Sequence, residues 1–237
     1  MNIDFLPQIK TVATIAEHFT TEEIKNEPML FQADWDFATR FGGPLTRRIL
    51  TTLRNTPEFN NAYQLAHSNK LNLVIDTRVN MVMQGWYPSI PGWHCDDVPR
   101  SEKYAQPDFS QRKDACQHFT IVLSDTDMPD LFTGAGVSGT EYLTTPTTLS
   151  VDPEAVWKSV DSLLNDMLAA EVLGPSPTKF LKDGELLQFN QQALHRTSPA
   201  RVAGWRLFFR CSFTYRKATN EVRRQAQAYI PLDKAGW

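Results

Sequence analysis

The sequence predicts a mainly β chain with flanking helices, on three observations. Polar and apolar residues alternate over Arg78 to Trp86 and again over Trp205 to Tyr215, the period of half-buried strands. Apolar residues recur at helical spacing over Pro44 to His67 and Pro153 to Leu173. Further strand-like runs, rich in Val, Ile, Leu and Phe, cluster after residue 70, whereas helical candidates dominate before it.

The 237 residues, 41% of them hydrophobic, suffice for the core of one domain. The expected organisation is a single domain over 1–237. Residues 1–70 form a mainly helical support, 71–216 a β core carrying a helical insertion at 153–173, and 217–237 a tail.

Taken in order, Thr20-Thr21-Glu22-Glu23 reads as a helix start, a threonine cap ahead of acidic residues, within an otherwise loop-and-helix stretch to residue 43. Leu45, Ile49, Leu53, Tyr63 and Leu65 predict one helix interrupted near Pro57. Leu71 to Asp76 and Arg78 to Trp86 read as two strands. In the second, Arg78, Asn80, Val82, Gln84 and Trp86 share a face that either lines a pocket or meets solvent. Two prolines and a glycine make Trp86 to Trp93 a loop, and the polar, strand-poor Pro99 to Gln117 is a candidate flap. Phe119 to Leu123 and Thr140 to Leu143 are strand candidates. Asp152 and Pro153 mark the start of the clearest helix, Gly174 and Pro175 its end, with Val156, Val160, Leu163, Leu164, Met167 and Leu168 as a packing stripe. Gly184 to Phe189, the His195 segment and Trp205 to Tyr215 complete the strands, and Asn220 to Tyr229 reads as a charged surface helix.

A net charge of −3 and a pI near 6.0 argue against a dedicated nucleic-acid surface. The three cysteines, Cys95, Cys116 and Cys211, lack metal or disulfide spacing and fit a reducing compartment. With neither a signal-peptide pattern nor an apolar run of membrane-spanning length, the expectation is a soluble cytoplasmic protein with no membrane or nucleic-acid partner.

One stretch stands out chemically: Pro91-Gly92-Trp93-His94-Cys95-Asp96-Asp97. In an extended segment His94 and Asp96 point to one side, while Cys95 and Asp97 point away. A His-x-Asp triplet alone is weak, but His195 follows a Gly184-Glu185-led strand and precedes a strand bearing Arg206 and Arg210. On that strand Arg206, Phe208, Arg210 and Ser212 share one face, and Leu207, Phe209, Cys211 and Phe213 the other. Two imidazoles and one carboxylate with the opposite positions open form the ligand set of non-haem Fe(II) oxygenases.

In this order and spacing the chain resembles the Fe(II)/2-oxoglutarate-dependent dioxygenases. The resemblance implies a double-stranded β-helix, or jelly roll. It implies Fe(II) held by His94, Asp96 and His195, with 2-oxoglutarate and O2 as co-substrates, and hydroxylation of a C–H bond with release of succinate and CO2. An acidic residue at position 96 departs from the halogenating variants. In branches resembling the phytanoyl-CoA and taurine dioxygenases, the co-substrate arginine lies eleven places past the second histidine, which is Arg206 here. Arg210, paired with Ser212 as in another branch, is the alternative co-substrate ligand or a substrate anchor, and Thr120 is a further co-substrate candidate. The substrate expected is a small, anionic molecule such as an amino acid or natural-product acid, met by Trp86, Tyr87, Trp93, Asn80 and Arg210. Two other readings stay open: a metal-dependent jelly-roll enzyme that does not use 2-oxoglutarate, and a barrel-shaped binding domain with no catalysis.

Overall fold

In the structure, a computed structural model, residues 1–89, 91–100, 105–111, 115–126 and 139–223 are described. The chain is mainly β, and its strand pairings are antiparallel. The largest sheet has five strands in the order β2 (Ile9–Thr14), β9 (Glu185–Asn190), β5 (Gln117–Ser124), β11 (Gly204–Thr214) and β4 (Asn72–Val82). A second sheet orders β10 (His195–Thr197), β6 (Thr140–Leu143) and β8 (Thr178–Phe180). Two ribbons complete the pairing: β1 (Asn2–Phe5) with β7 (Thr147–Ser150), and β3 (Met29–Phe31) with β12 (Glu221–Arg223). Among the described residues these sheets do not join into one closed barrel.

The five-stranded sheet sorts its side chains by strand alternation. Ile75, Val79, Phe119, Ile121, Leu123, Leu207, Phe209, Cys211 and Phe213 project to one side, into the main apolar cluster. That cluster is covered by α1 (Thr21–Lys25), α2 (Trp35–Phe41), α3 (Pro44–Arg54) and α4 (Pro57–Ser68). Arg206, Phe208, Arg210 and Ser212 take the opposite side, as their spacing predicts. Their partners across the ladder are Asn80, Arg78, Asp76 and Val74 on β4, and Ser124, Val122, Thr120 and His118 on β5. One face of the sheet therefore packs on helices and the other carries the polar chemistry.

Local chemistry explains the helix starts. Thr20 and Glu23 form a reciprocal capping box ahead of α1. The carboxylate of Glu27, 4% exposed, accepts from the Gly43, Leu45 and Thr46 amides and the Thr46 hydroxyl, so a buried acid satisfies the open N-terminus of α3. Thr56 and Pro57 separate α3 from α4. At the entry to β9, Gly184 sits at φ +72, where a Cβ would lie 2.3 Å from the Ile15 carbonyl oxygen.

Several expectations are corrected. Residues 2–5 and 9–14 are strands rather than loop or helix. β2 is an edge strand whose register is set by β9 and broken by an irregularity between Thr11 and Ala13, a distant pairing with no local signature. Residues 72–82 form one strand, not two, because Thr77 hydrogen-bonds Leu30 and Pro28 without interrupting the ladder. That strand ends at Val82, and Gly85 at φ +84 turns the chain, so Gln84 and Trp86 leave the face shared by Arg78 and Asn80. The long helix α5 is Val156–Ala169. Asp152 instead accepts from Glu154 N in a preceding turn, and Glu171 at φ +55 stops the helix before Leu173. Asn220, at φ +58, starts no helix; Glu221–Arg223 pairs with β3, and 224–237 lie outside the described residues. The candidate flap lies partly outside them too; its described portion holds a short 3-10 turn at Phe109–Gln111. No helix among the described residues is long and apolar enough to cross a membrane.

Candidate metal centre

The loop carrying His94 and the strand carrying His195 meet backbone to backbone. His94 N–H donates to His195 O and His195 N–H to His94 O, both at 2.9 Å, a two-residue antiparallel bridge that puts both imidazoles side by side. Their ring centroids are 4.6 Å apart. Asp96 completes the group: one ligand atom from each of His94, Asp96 and His195 lies within 4.8 Å of the others. His195 Nε2 is 3.5 Å from Asp96 Oδ2.

The hydrogen bonds behind the rings settle the tautomers. His94 Nδ1 lies 2.9 Å from Gly92 O, and His195 Nδ1 lies 3.0 Å from Ala193 O. A carbonyl only accepts, so each Nδ1 carries a proton, and each Nε2 is the ring nitrogen left to serve as a metal ligand. Burial, aided by the neighbouring His195, lowers His94 to about 4, so its ring is neutral at neutral pH. Burial alone would raise the Asp96 carboxyl, but Arg210 and His195 overcome that and hold it well below the usual range. Two imidazole nitrogens and one carboxylate oxygen close together suit a divalent transition metal with open positions opposite.

Behind the carboxylate runs a chain of ion pairs. Arg210 donates to Asp96 Oδ2, and its Nη2 reaches Asp76 Oδ2 at 3.2 Å. Arg216 Nη1 is 3.5 Å from the same Asp76 oxygen, while its Nε is 2.8 Å from Asp97 Oδ1. Asp97 follows Asp96 in the chain, so Asp96, Arg210, Asp76, Arg216 and Asp97 make a closed loop. Burial works against the Arg210 charge, but Asp96, Asp76 and Asp97 reverse it and raise the group above its ordinary value. Asp97 sits in a turn at φ +56, which sends its carboxylate to Arg216; the expectation that it points away from His94 rested on an extended segment, whereas a left-handed turn sets its direction here.

Arg206 is in a different condition. It is 3% exposed, and among the described residues its guanidinium makes neither a hydrogen bond nor an ion pair. Burial, with the charge of Arg78 adding, lowers it to about 9. Asp183 is close enough to be felt but is bonded to Ser124 Oγ at 3.0 Å, and burial pushes it up to about 6. A buried cation with no direct ion pair or hydrogen bond is costly, even with Asp183 near enough to be felt, and an anion in contact with it would lower that cost.

Both groups open on one cavity of about 740 Å³ between the two main sheets. His94, Asp96 and His195 line it, as do Thr120, Arg206, Phe208 and Arg210. Thr120 spends its hydroxyl on Phe209 O at 2.9 Å. The other expected residues stand elsewhere. Ser212 is fully buried and its hydroxyl meets His118 Nδ1 at 2.9 Å, away from the cavity lining. Trp93 is 1% exposed in the second apolar cluster, with Arg196 4.6 Å above its ring, so it is no substrate wall. Trp86 and Tyr87 are outside the lining, although Pro88 and Ser89 of the same loop belong to it. Asn80 lies across the ladder from Arg206, 6% exposed and also off the lining, with both amide atoms unpaired among the described residues. Cys95 faces the second cluster.

Sequence reasoning missed Asp76, Tyr142, Phe189 and Arg216, all of which line the cavity. Asp76 was legible in principle: it is two residues from Arg78 on what is one strand, so it shares that face. Tyr142, opposite His195 on β6 with ring centroids 5.4 Å apart, had no signal of its own.

No family model matches this chain, and no curated protein matches it. Among solved structures it is similar to an N-substituted L-amino acid dioxygenase from Burkholderia ambifaria AMMD, at a TM-score of 0.34 and 12% identity over 82% of this chain and 73% of that one. A likeness at that level carries no functional weight.

Proposed function

We propose that the chain is a single-domain Fe(II)- and 2-oxoglutarate-dependent oxygenase that hydroxylates a C–H bond of a small, anionic molecule. The two sheets are read as the halves of an open double-stranded β-helix. The observation that carries this is the pairing, in one cavity, of a two-histidine, one-carboxylate cluster with a buried arginine that has no ion pair or hydrogen bond among the described residues.

In this reading His94, Asp96 and His195 hold the metal through two Nε2 atoms and a carboxylate oxygen. Arg206 receives the far carboxylate of 2-oxoglutarate through paired N–H donors, which supplies the direct partner it lacks. Arg210 is committed to Asp96 and Asp76, which favours Arg206 as the co-substrate ligand and gives Arg210 the task of orienting the metal's carboxylate. Phe208, Phe189 and Tyr142 supply apolar walls that keep water from the reacting face. Chelated iron, when bound, supplies the activation of O2 that couples decarboxylation of the keto acid to oxidation of the substrate.

The test is anaerobic loading with Fe(II) and 2-oxoglutarate, followed by oxygen and measurement of succinate. Iron-dependent succinate, absent from His195→Ala, is the expected result. Succinate formation that is the same without iron, or none under any condition, refutes the reading.

A further inference from the structure

Helix α5 was expected to do no more than pack. Its buried stripe, Val156, Val160 and Leu164, does sit in the second apolar cluster. One position along, Trp157, Asp161 and Asn165 form a parallel stripe, four residues apart and so on one face. Each member of that stripe touches a segment that carries a histidine of the metal cluster. The ring of Trp157 meets that of His94 edge-on, with centroids 6.5 Å apart at 85°. Asp161 Oδ1 accepts from the Trp93 amide at 2.9 Å, one residue before His94. Asn165 Oδ1 accepts from Arg196 Nη1 at 2.7 Å, one residue after His195.

The contacts converge further. Arg196 also donates from Nε to Glu141 Oε2 at 2.8 Å and lies over the Trp93 ring, so it bridges α5, β6 and the loop before His94. Gly92, whose carbonyl orients the His94 ring, sits at φ +110 with its Cβ direction facing Asp161 at 3.6 Å. A side chain there would be strained. None of Trp157, Asp161 and Asn165 lines the cavity, so none is placed to meet substrate.

We propose that Trp157, Asp161 and Asn165 are positioning residues: one helix face that fixes the separation and tilt of His94 and His195, and thereby tunes metal affinity. The inference rests on the metal-binding reading of the His94, Asp96 and His195 cluster. A rigid helix is suited to the task because the loop before His94 meets β10 through isolated bridges, His94 with His195 and Pro91 with Thr197, and a Thr197 hydroxyl to Ser89 O bond of 3.0 Å, rather than through a continuous ladder. The Asp161 contact restrains the backbone one residue before a ligand, where a small rotation is carried on to the position of Nε2.

The test is Co(II) binding, titrated anaerobically in the wild type, Asp161→Ala, Asp161→Asn and Asn165→Ala, with the melting temperature of each metal-free protein measured alongside. Asp161→Ala is expected to weaken Co(II) binding roughly tenfold or more, the usual cost of losing a supporting contact behind a ligand. Asp161→Asn keeps a carbonyl oxygen for the Trp93 amide and is expected to restore near wild-type affinity. Asn165→Ala, at the exposed end of the stripe, should show a smaller loss and fold even if Asp161→Ala does not. Equal affinity in the wild type, Asp161→Ala and Asn165→Ala overturns the positioning role while leaving the metal site intact. So does an Asp161→Asn variant as weak as Asp161→Ala. A wild-type protein that does not bind Co(II) refutes the metal site itself, and the positioning role with it.

Discussion

Replacing Arg206 by Met separates two effects that most active-site substitutions confound. The side chain is 3% exposed and has no hydrogen bond among the described residues, so in the absence of an anion its charge is a burden on the fold. The fall in its pKa from 12.5 to about 9 corresponds to several kcal/mol, at about 1.4 kcal/mol per unit. Methionine keeps much of the apolar stem and removes the charge. Metal-free Arg206→Met is therefore expected to melt at or above the wild-type temperature. In contrast, its loss of two charge-assisted hydrogen bonds, worth about 1.5–3 kcal/mol each, should raise the 2-oxoglutarate concentration needed for half-maximal succinate release by at least ~100-fold. The iron requirement should barely move. A succinate assay over a 2-oxoglutarate series, with a thermal melt of the ligand-free protein, reads both effects. An unchanged 2-oxoglutarate requirement would refute the assignment and turn attention to Arg210; a steep fall in melting temperature would show that Arg206 is a structural ion.

The geometry sets four more outcomes. Asp96→Ala should abolish Co(II) binding and leave the half-buried Arg210 with Asp76 as its remaining direct partner, so urea denaturation should also show a loss of about 1–3 kcal/mol. Glu27→Ala strips the α3 N-terminus of its buried acceptor and should cost about 2–4 kcal/mol in the same assay, with metal affinity unchanged. His118, lowered by burial from 6.5 to about 4, stays neutral in the folded chain while the unfolded chain takes up a proton below 6.5. Its contribution to stability is thus present above 6.5 and lost as pH falls towards 4, so the wild-type advantage over His118→Phe should shrink by up to ~1.4 kcal/mol per pH unit across that window. Asp183 has the opposite sign: pushed up from 3.8 to about 6 by burial, it favours the folded state most at low pH and loses that contribution as pH rises from 3.8 to about 6. The wild type should gain on Asp183→Asn as the solution is acidified through about 6.

Much of the candidate site was legible because it depends on short-range geometry. The alternation that sets Arg206 and Arg210 on one strand face, and Leu207 and Phe209 on the other, is a property of any extended chain. Cys95 turns into the second apolar cluster as expected, but Asp97 takes its direction from a left-handed turn that the extended-chain rule does not foresee. The capping of α1 by Thr20 and the break at Pro57 are likewise local chemistry. Reading residues 72–82 as two strands hid Asp76, since its place on the polar face holds only if the strand is continuous. Trp93 was misjudged as a substrate wall because its position next to His94 in sequence does not reveal that its ring turns into the cluster beneath Arg196.

The identities and order of the metal-cluster side chains, and the existence of two arginines on one strand face, were determined by the amino-acid sequence alone, since covalent spacing and backbone period suffice for them. Which arginine is left without a direct ion pair was decided only by the tertiary structure: Asp76 and Asp96 come from different segments, and both pair with Arg210 while neither pairs with Arg206. The same holds for α5, whose stripe acquires a purpose when the fold lays it against two histidine-bearing segments 101 residues apart. Charge pairing and restraint of a ligand act through space over a few ångströms, and contacts made at such separations leave no periodic trace in the chain.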